Sequence, residues 1–133
     1  MSDNKTEPTI LLVEDEMPLL RAVQAKLRNS GFEAVSARTV DQALGYIRDG
    51  IAIEAIWLDH FLLGKKTGID FLCEIKNHKE YRIVPVFVVA NTGGPDTQHS
   101  YLQLGVTKYY VKSNHRLDEI IQEVSKTIKK QQS

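Results

Sequence analysis

Apolar residues in this chain come in short unbroken runs and in stripes of helical spacing, and the two kinds alternate. Thr9-Ile10-Leu11-Leu12-Val13, Ala55-Ile56-Trp57-Leu58, Val84-Pro85-Val86-Phe87-Val88-Val89-Ala90 and Tyr109-Tyr110-Val111 are the runs. Runs this short read as strands covered on both faces, as in the middle of a parallel sheet. Pro85 is tolerable only near the start of its strand. Phe32-Glu33-Ala34-Val35-Ser36-Ala37 alternates instead, as a half-covered edge strand does.

Between the strands the period lengthens. Leu19, Leu20, Val23 and Leu27 line a helix with Pro18 in its first turn and Asn29-Ser30-Gly31 as its stop. Thr39 or Asp41 caps a second helix carrying Val40, Ala43, Leu44 and Ile47. Ile69, Leu72, Cys73 and Ile75 mark a third, and Tyr101, Leu102 and Leu104 a short fourth stopped by Gly105. Leu117, Ile120, Ile121, Val124 and Ile128 form the stripe of a fifth. Five strands alternating with five helices require a parallel sheet with helices on both faces, a doubly wound α/β fold. The domain is expected over residues 9–130, between a flexible leader (1–8) and a short tail (131–133).

Composition changes this picture little. A chain of 133 residues is one domain with room for its own core. Lys+Arg and Asp+Glu both number 17, so no field of one sign recommends nucleic acid or a membrane surface as partner. No apolar run is long enough to span a bilayer, and Met1 to Thr9 is too polar for a secretory leader. Cys73 has no second thiol to pair with and reads as a small residue in or near the core. A cytoplasmic protein is expected.

The strand ends carry the chemistry. Glu14-Asp15-Glu16 follows the first strand, Asp59 the third, Asn91-Thr92 the fourth, and Lys112 the fifth. In open parallel sheets the binding crevice lies outside the carboxyl ends of the strands. Asp59 alone is equally a turn former or a helix cap. If the first, third, fourth and fifth strands are neighbours, however, three acids and one lysine face one crevice. Clustered carboxylates raise one another's pKa unless a cation joins them, and oxygen ligands without His or Cys favour a hard ion such as Mg²⁺. An aspartate beside Mg²⁺ is a competent nucleophile toward phosphorus, with Lys112 as a point charge on a phosphoryl oxygen. The plainer reading is an Asp to Lys ion pair with no metal, and one lysine cannot neutralise three acids.

Leu11-Leu12-Val13-Glu14-Asp15-Glu16, Trp57-Leu58-Asp59 and Tyr109-Tyr110-Val111-Lys112 resemble, in order and spacing, the receiver domain of two-component response regulators. The resemblance covers nearly the whole chain. It implies a flavodoxin-like (CheY-like) sheet of strand order 2-1-3-4-5. It implies that Asp59 accepts a phosphoryl group from a phosphohistidine on a sensor histidine kinase or histidine phosphotransfer protein. Asp15, Asp59 and the backbone carbonyl of Phe61 would bind Mg²⁺, Glu14 would support it, and Lys112 would touch the phosphoryl group. Output would be contact with a downstream protein, from a monomer or weak homodimer, with no direct nucleic-acid or membrane role. Such a domain is no enzyme beyond assisting its own phosphorylation and dephosphorylation.

Three departures from the family pattern change the expectation. Ala90 stands where the family usually ends its fourth strand with Thr or Ser, the hydroxyl that couples phosphorylation to an aromatic here represented by Tyr109. Phosphorylation is therefore expected to be read out weakly or by another route, with Thr92 as a substitute donor. Ser113 replaces the proline after Lys112, so that bond is expected to be trans. The stretch from Asp59 to Gly68 is one residue longer than usual, with Leu63 for the family's proline, and Asn91 is expected to narrow access to the phosphoryl group.

The alternative to a phosphoacceptor is a degenerate receiver serving as a fixed protein-binding scaffold, for which Ala90 and Ser113 speak. A small phosphohydrolase would want a second aspartate where the chain has Phe61. His60 reads as a structural or rim residue, since neighbouring strand residues point to opposite sides. His60, His78, His99 and His115 show no metal spacing. Gly64-Lys65-Lys66-Thr67-Gly68 matches no phosphate-loop signature. Trp57 and Phe87 read as core filler, and one of Tyr109 and Tyr110 is expected to face outward.

Overall fold

In the computed structural model, which describes residues 7–91 and 94–132, the four apolar runs and the alternating one become the strands of a single sheet. β1 (Thr9–Val13) lies between β2 (Glu33–Ala37) and β3 (Ala55–Leu58), and β4 (Val86–Ala90) and β5 (Lys108–Val111) follow beside β3. Every pair is parallel and the order is 2-1-3-4-5. Parallel neighbours need crossovers, supplied by α1 (Met17–Asn29), α2 (Val40–Arg48), α3 (Gly68–Ile75), α4 (Pro95–Gln103) and α5 (Leu117–Gln132).

Because successive strand residues point to opposite faces, unbroken apolar strands feed two cores. Ile10, Leu12, Trp57, Phe87, Val89 and Tyr110 pack with Leu20, Val23, Leu27, Ile120, Ile121, Val124 and Ile128 of α1 and α5. Leu11, Val13, Ile56, Leu58, Val88 and Ala90 pack with residues of α2, α3 and α4 on the other face. Leaving β1, the chain crosses to β2 on one side; leaving β2, it returns past β1 to β3. The order reverses there, and the carboxyl ends of β1 and β3 flank the switch point.

Several expectations need correction. Cys73 is exposed, and the inward residues of α3 are Phe71, Leu72 and Ile75. One step on a helix turns about 100°, enough to carry Cys73 past the edge of a face centred on Leu72. Leu102 is 50% exposed and faces outward, because Tyr101 beside it takes the inward position. Phe32 precedes β2: its N–H bonds the Leu27 carbonyl at 3.0 Å in the turn that closes α1, where Gly31 has φ 92°. Pro85 likewise lies just outside β4. Thr39, not Asp41, caps α2, accepting from the Gln42 N–H at 3.0 Å. The helix α5 continues to Gln132, through most of the expected tail. The expected leader falls almost wholly outside the described residues, as does Thr92. Among the described residues no helix is long and apolar enough to cross a membrane.

Candidate functional site

Glu14 and Asp59 are the first residues beyond their strands, and both extend the ladder by one bond. Glu14 N–H donates to the Ala37 carbonyl at 3.0 Å and Asp59 N–H to the Val13 carbonyl at 2.9 Å. This brings carboxylates far apart in sequence to the same rim, where Glu14, Asp15 and Asp59 each offer an oxygen within 4.8 Å of the others. Glu14 is fully buried and Asp59 nearly so, while Asp15 is half-buried. Lys112, leaving β5, reaches in from the side. Its Nζ donates to Asp59 Oδ2 at 3.1 Å and lies 3.0 Å from Glu14 Oε1 and 3.5 Å from Glu16 Oε1.

Burial pushes Glu14 up from 4.5 to about 7, Asp59 adds repulsion, and Lys112 partly offsets both. Asp59 is also raised, by burial, against the pull of Lys112. Burial alone would lower the Lys112 ammonium, but Asp59 and Glu14 outweigh it and hold the lysine above its ordinary value. The pocket is thus short of positive charge. Lys112 sits at ion-pair distance from Glu14 Oε1 yet off the line of a hydrogen bond, so that buried oxygen has none. An oxygen-only donor set with an unsatisfied buried carboxylate oxygen fits a hard divalent ion. No histidine joins a metal-holding group among the described residues.

The remaining expected residues stand around this pocket. Phe61, 61% exposed, is in the loop two residues past Asp59. Ala90 ends β4 in full burial and pairs with Val111, and Asn91 follows it, exposed. Tyr109 is half-buried on the α4 side of β5, while Tyr110 turns into the opposite core. The Lys112–Ser113 bond is trans and opens a single 3₁₀ turn, Lys112–Asn114. His60 is buried, as a structural role requires. Its N–H donates to Asp59 Oδ1 at 2.7 Å, and its ring Nδ1 lies 2.7 Å from the Tyr101 hydroxyl. Lys66 pairs with Asp41 at 2.9 Å on the surface.

Three site residues went unpredicted. Glu16 shares Lys112, a role its place in the acidic run could have suggested. Arg38 donates from Nε and Nη2 to the Asp15 carbonyl at 3.1 and 2.8 Å, and its own carbonyl accepts from Leu63 N–H at 3.2 Å. It is the first residue after β2, and the rule applied to the other strand ends would have found it. Gly68 opens α3 against the site: a Cβ there would meet the Tyr101 hydroxyl and come within 2.6 Å of the Asp59 carbonyl. Nothing local in the sequence announces that contact.

Comparison with known proteins agrees with this geometry. Residues 10–125 match the response regulator receiver domain family. Response regulator Rcp1 of Synechocystis sp. is 33% identical over 89% of this chain and 86% of its own length. The phosphate regulon regulator PhoB of Escherichia coli is 31% identical over 77% of this chain, which spans 44% of PhoB. Among solved structures, the phosphorylated cyanobacterial phytochrome response regulator RcpA superposes with a TM-score of 0.77 at 31% identity, covering 89% of each chain. The Mn²⁺-bound form of Rcp1 superposes with a TM-score of 0.75 at 29% identity, covering 88% of each chain. With strand order, acidic rim and lysine agreeing, this chain belongs to the response regulator receiver domain family of two-component systems.

Proposed function

We propose that Asp59 is the phosphoacceptor of this receiver and takes its phosphoryl group from a phosphohistidine on a sensor histidine kinase or a histidine phosphotransfer protein. The observation that carries this is the convergence of Glu14, Asp15 and Asp59 on one lysine at the switch point of the sheet. A carboxylate oxygen of Asp59 attacks phosphorus, the P–N bond to the donor imidazole breaks, and an acyl phosphate forms. His60 N–H holds Oδ1 and Lys112 holds Oδ2, which sets the carboxylate's orientation before the donor arrives. Lys112 also favours the charged, nucleophilic form against the burial that opposes it. As the phosphoryl group arrives, the ammonium is placed to follow charge onto its oxygens.

Glu14, Asp15, Asp59 and the Phe61 carbonyl would hold Mg²⁺. The ion, when bound, neutralises carboxylate and phosphoryl charge that one lysine cannot. RcpA in phosphorylated form and Rcp1 in Mn²⁺-bound form support both halves of the reading. The domain assists its own phosphorylation and dephosphorylation, and it signals to a downstream protein by contact.

Incubation with Mg²⁺ and a small phosphodonor tests the assignment. Wild type takes up an acid-stable, base-labile label, and Asp59→Asn takes up none. Equal labelling of the two proteins would remove Asp59 from the role.

A further inference from the structure

Ala90 offers only a methyl group at the end of β4, so no hydroxyl there can respond to a modified Asp59. A different chain of contacts leaves the same carboxylate. Asp59 Oδ1 accepts from the His60 N–H at 2.7 Å, and the His60 ring meets the Tyr101 hydroxyl at 2.7 Å with the rings edge-on. The Tyr101 ring in turn lies against that of Tyr109 on β5, with centroids 5.7 Å apart. Tyr101 is fully buried, and its hydroxyl needs an acceptor there. His60 Nδ1, at 2.7 Å, is placed to pair with that hydroxyl.

Two features show that the path is built into the fold. Gly68 leaves open the space that the Tyr101 hydroxyl occupies between the Asp59 carbonyl and the start of α3. Tyr101 is also the one fully inward side chain of α4, whereas α1 buries Leu20, Val23 and Leu27 and α2 buries four. Gly94 opens α4 without a side-chain cap. A helix anchored by one side chain is cheap to displace, and here the anchor is bonded to the residue next to Asp59.

We propose that the state of Asp59 is passed to α4 and β5 through His60, Tyr101 and Tyr109, with Tyr101 as the positioning residue that couples the acceptor loop to that face. The proposal rests on Asp59 being the acceptor. A phosphoryl group alters the demand on the Asp59 oxygens, so the His60 N–H must be re-aimed. Close packing makes the His60–Tyr101 bond either move with it or break.

Amide and ring NMR on the full chain with Mg²⁺ and beryllofluoride tests this. In wild type, shifts are expected at residues 60–62, throughout α4 and at Tyr109. Tyr101→Phe should keep the shifts at 60–62 and lose those in α4 and at Tyr109. His60→Leu, which keeps the backbone N–H on Asp59 and removes the ring partner, should give the same loss and stands in if the first variant folds poorly. An undiminished α4 response in both variants, with shifts at 60–62 intact, overturns the relay and leaves the acceptor assignment standing. Wild type with no shift at 60–62 overturns the acceptor assignment and the relay together.

Discussion

Lys112 lies inside a pocket of acids, between Glu14 and Asp59, and removing it leaves buried carboxylates facing each other. Lys112→Ala is therefore expected to cost about 3 kcal/mol at neutral pH, read as a lower urea midpoint. Asp59→Asn has the opposite sign, because burial already disfavours its charge: without metal the melting temperature should rise, and added Mg²⁺ should raise it no further. Glu14 gives the pocket a pH dependence. Burial lifts it from 4.5 to about 7, so the folded chain holds that proton more tightly than the unfolded one. Its contribution is complete below about pH 4.5 and fades as pH rises through 7, so chelator-treated protein should lose stability over that window. Glu14→Gln should flatten the loss in denaturation curves taken across it. Arg38 acts by position rather than charge transfer, tying the Asp15 and Leu63 backbones together.

Among the elements, α4 and the start of α3 differ most from their neighbours. Gly68 occupies the first turn of a helix, where alanine ordinarily gains from propensity. The backbone carbonyl of Asp59 at 2.6 Å from a Cβ cannot yield as a side-chain tip would. Gly68→Ala is therefore expected to destabilise by about 2 kcal/mol, measured by urea denaturation. With Tyr101 as its deep anchor, α4 should also show the weakest amide hydrogen-exchange protection of the five helices, and α1 and α5, which pack on each other, much stronger protection. Uniform protection across the helices would contradict that ranking.

For the whole molecule, a metal held by Glu14, Asp15 and Asp59 would be coupled to folding, since two strand-end loops distant in sequence bring these carboxylates together only in the folded chain. Mg²⁺ at ten times its dissociation constant should add about 1.4 kcal/mol, a rise of a few degrees in melting temperature that monovalent ions such as K⁺ do not reproduce. The element order, the doubly wound class and the acid and lysine positions were legible from the chain alone, because unbroken apolar runs ending in charge are local patterns. Legible too was the loss of the hydroxyl at Ala90. Helix faces were less so: Cys73 and Leu102 fit the spacing and still point outward, because which neighbour takes the core is settled by packing between elements. The distances and directions of the bonds from Lys112 to Glu14, Asp59 and Glu16, of the Arg38 clamp and of the His60–Tyr101 bond belong to the tertiary structure alone. Each joins strand ends or helices far apart in sequence, and hydrogen-bond geometry over such separations depends on sheet register and helix placement, which no local pattern encodes.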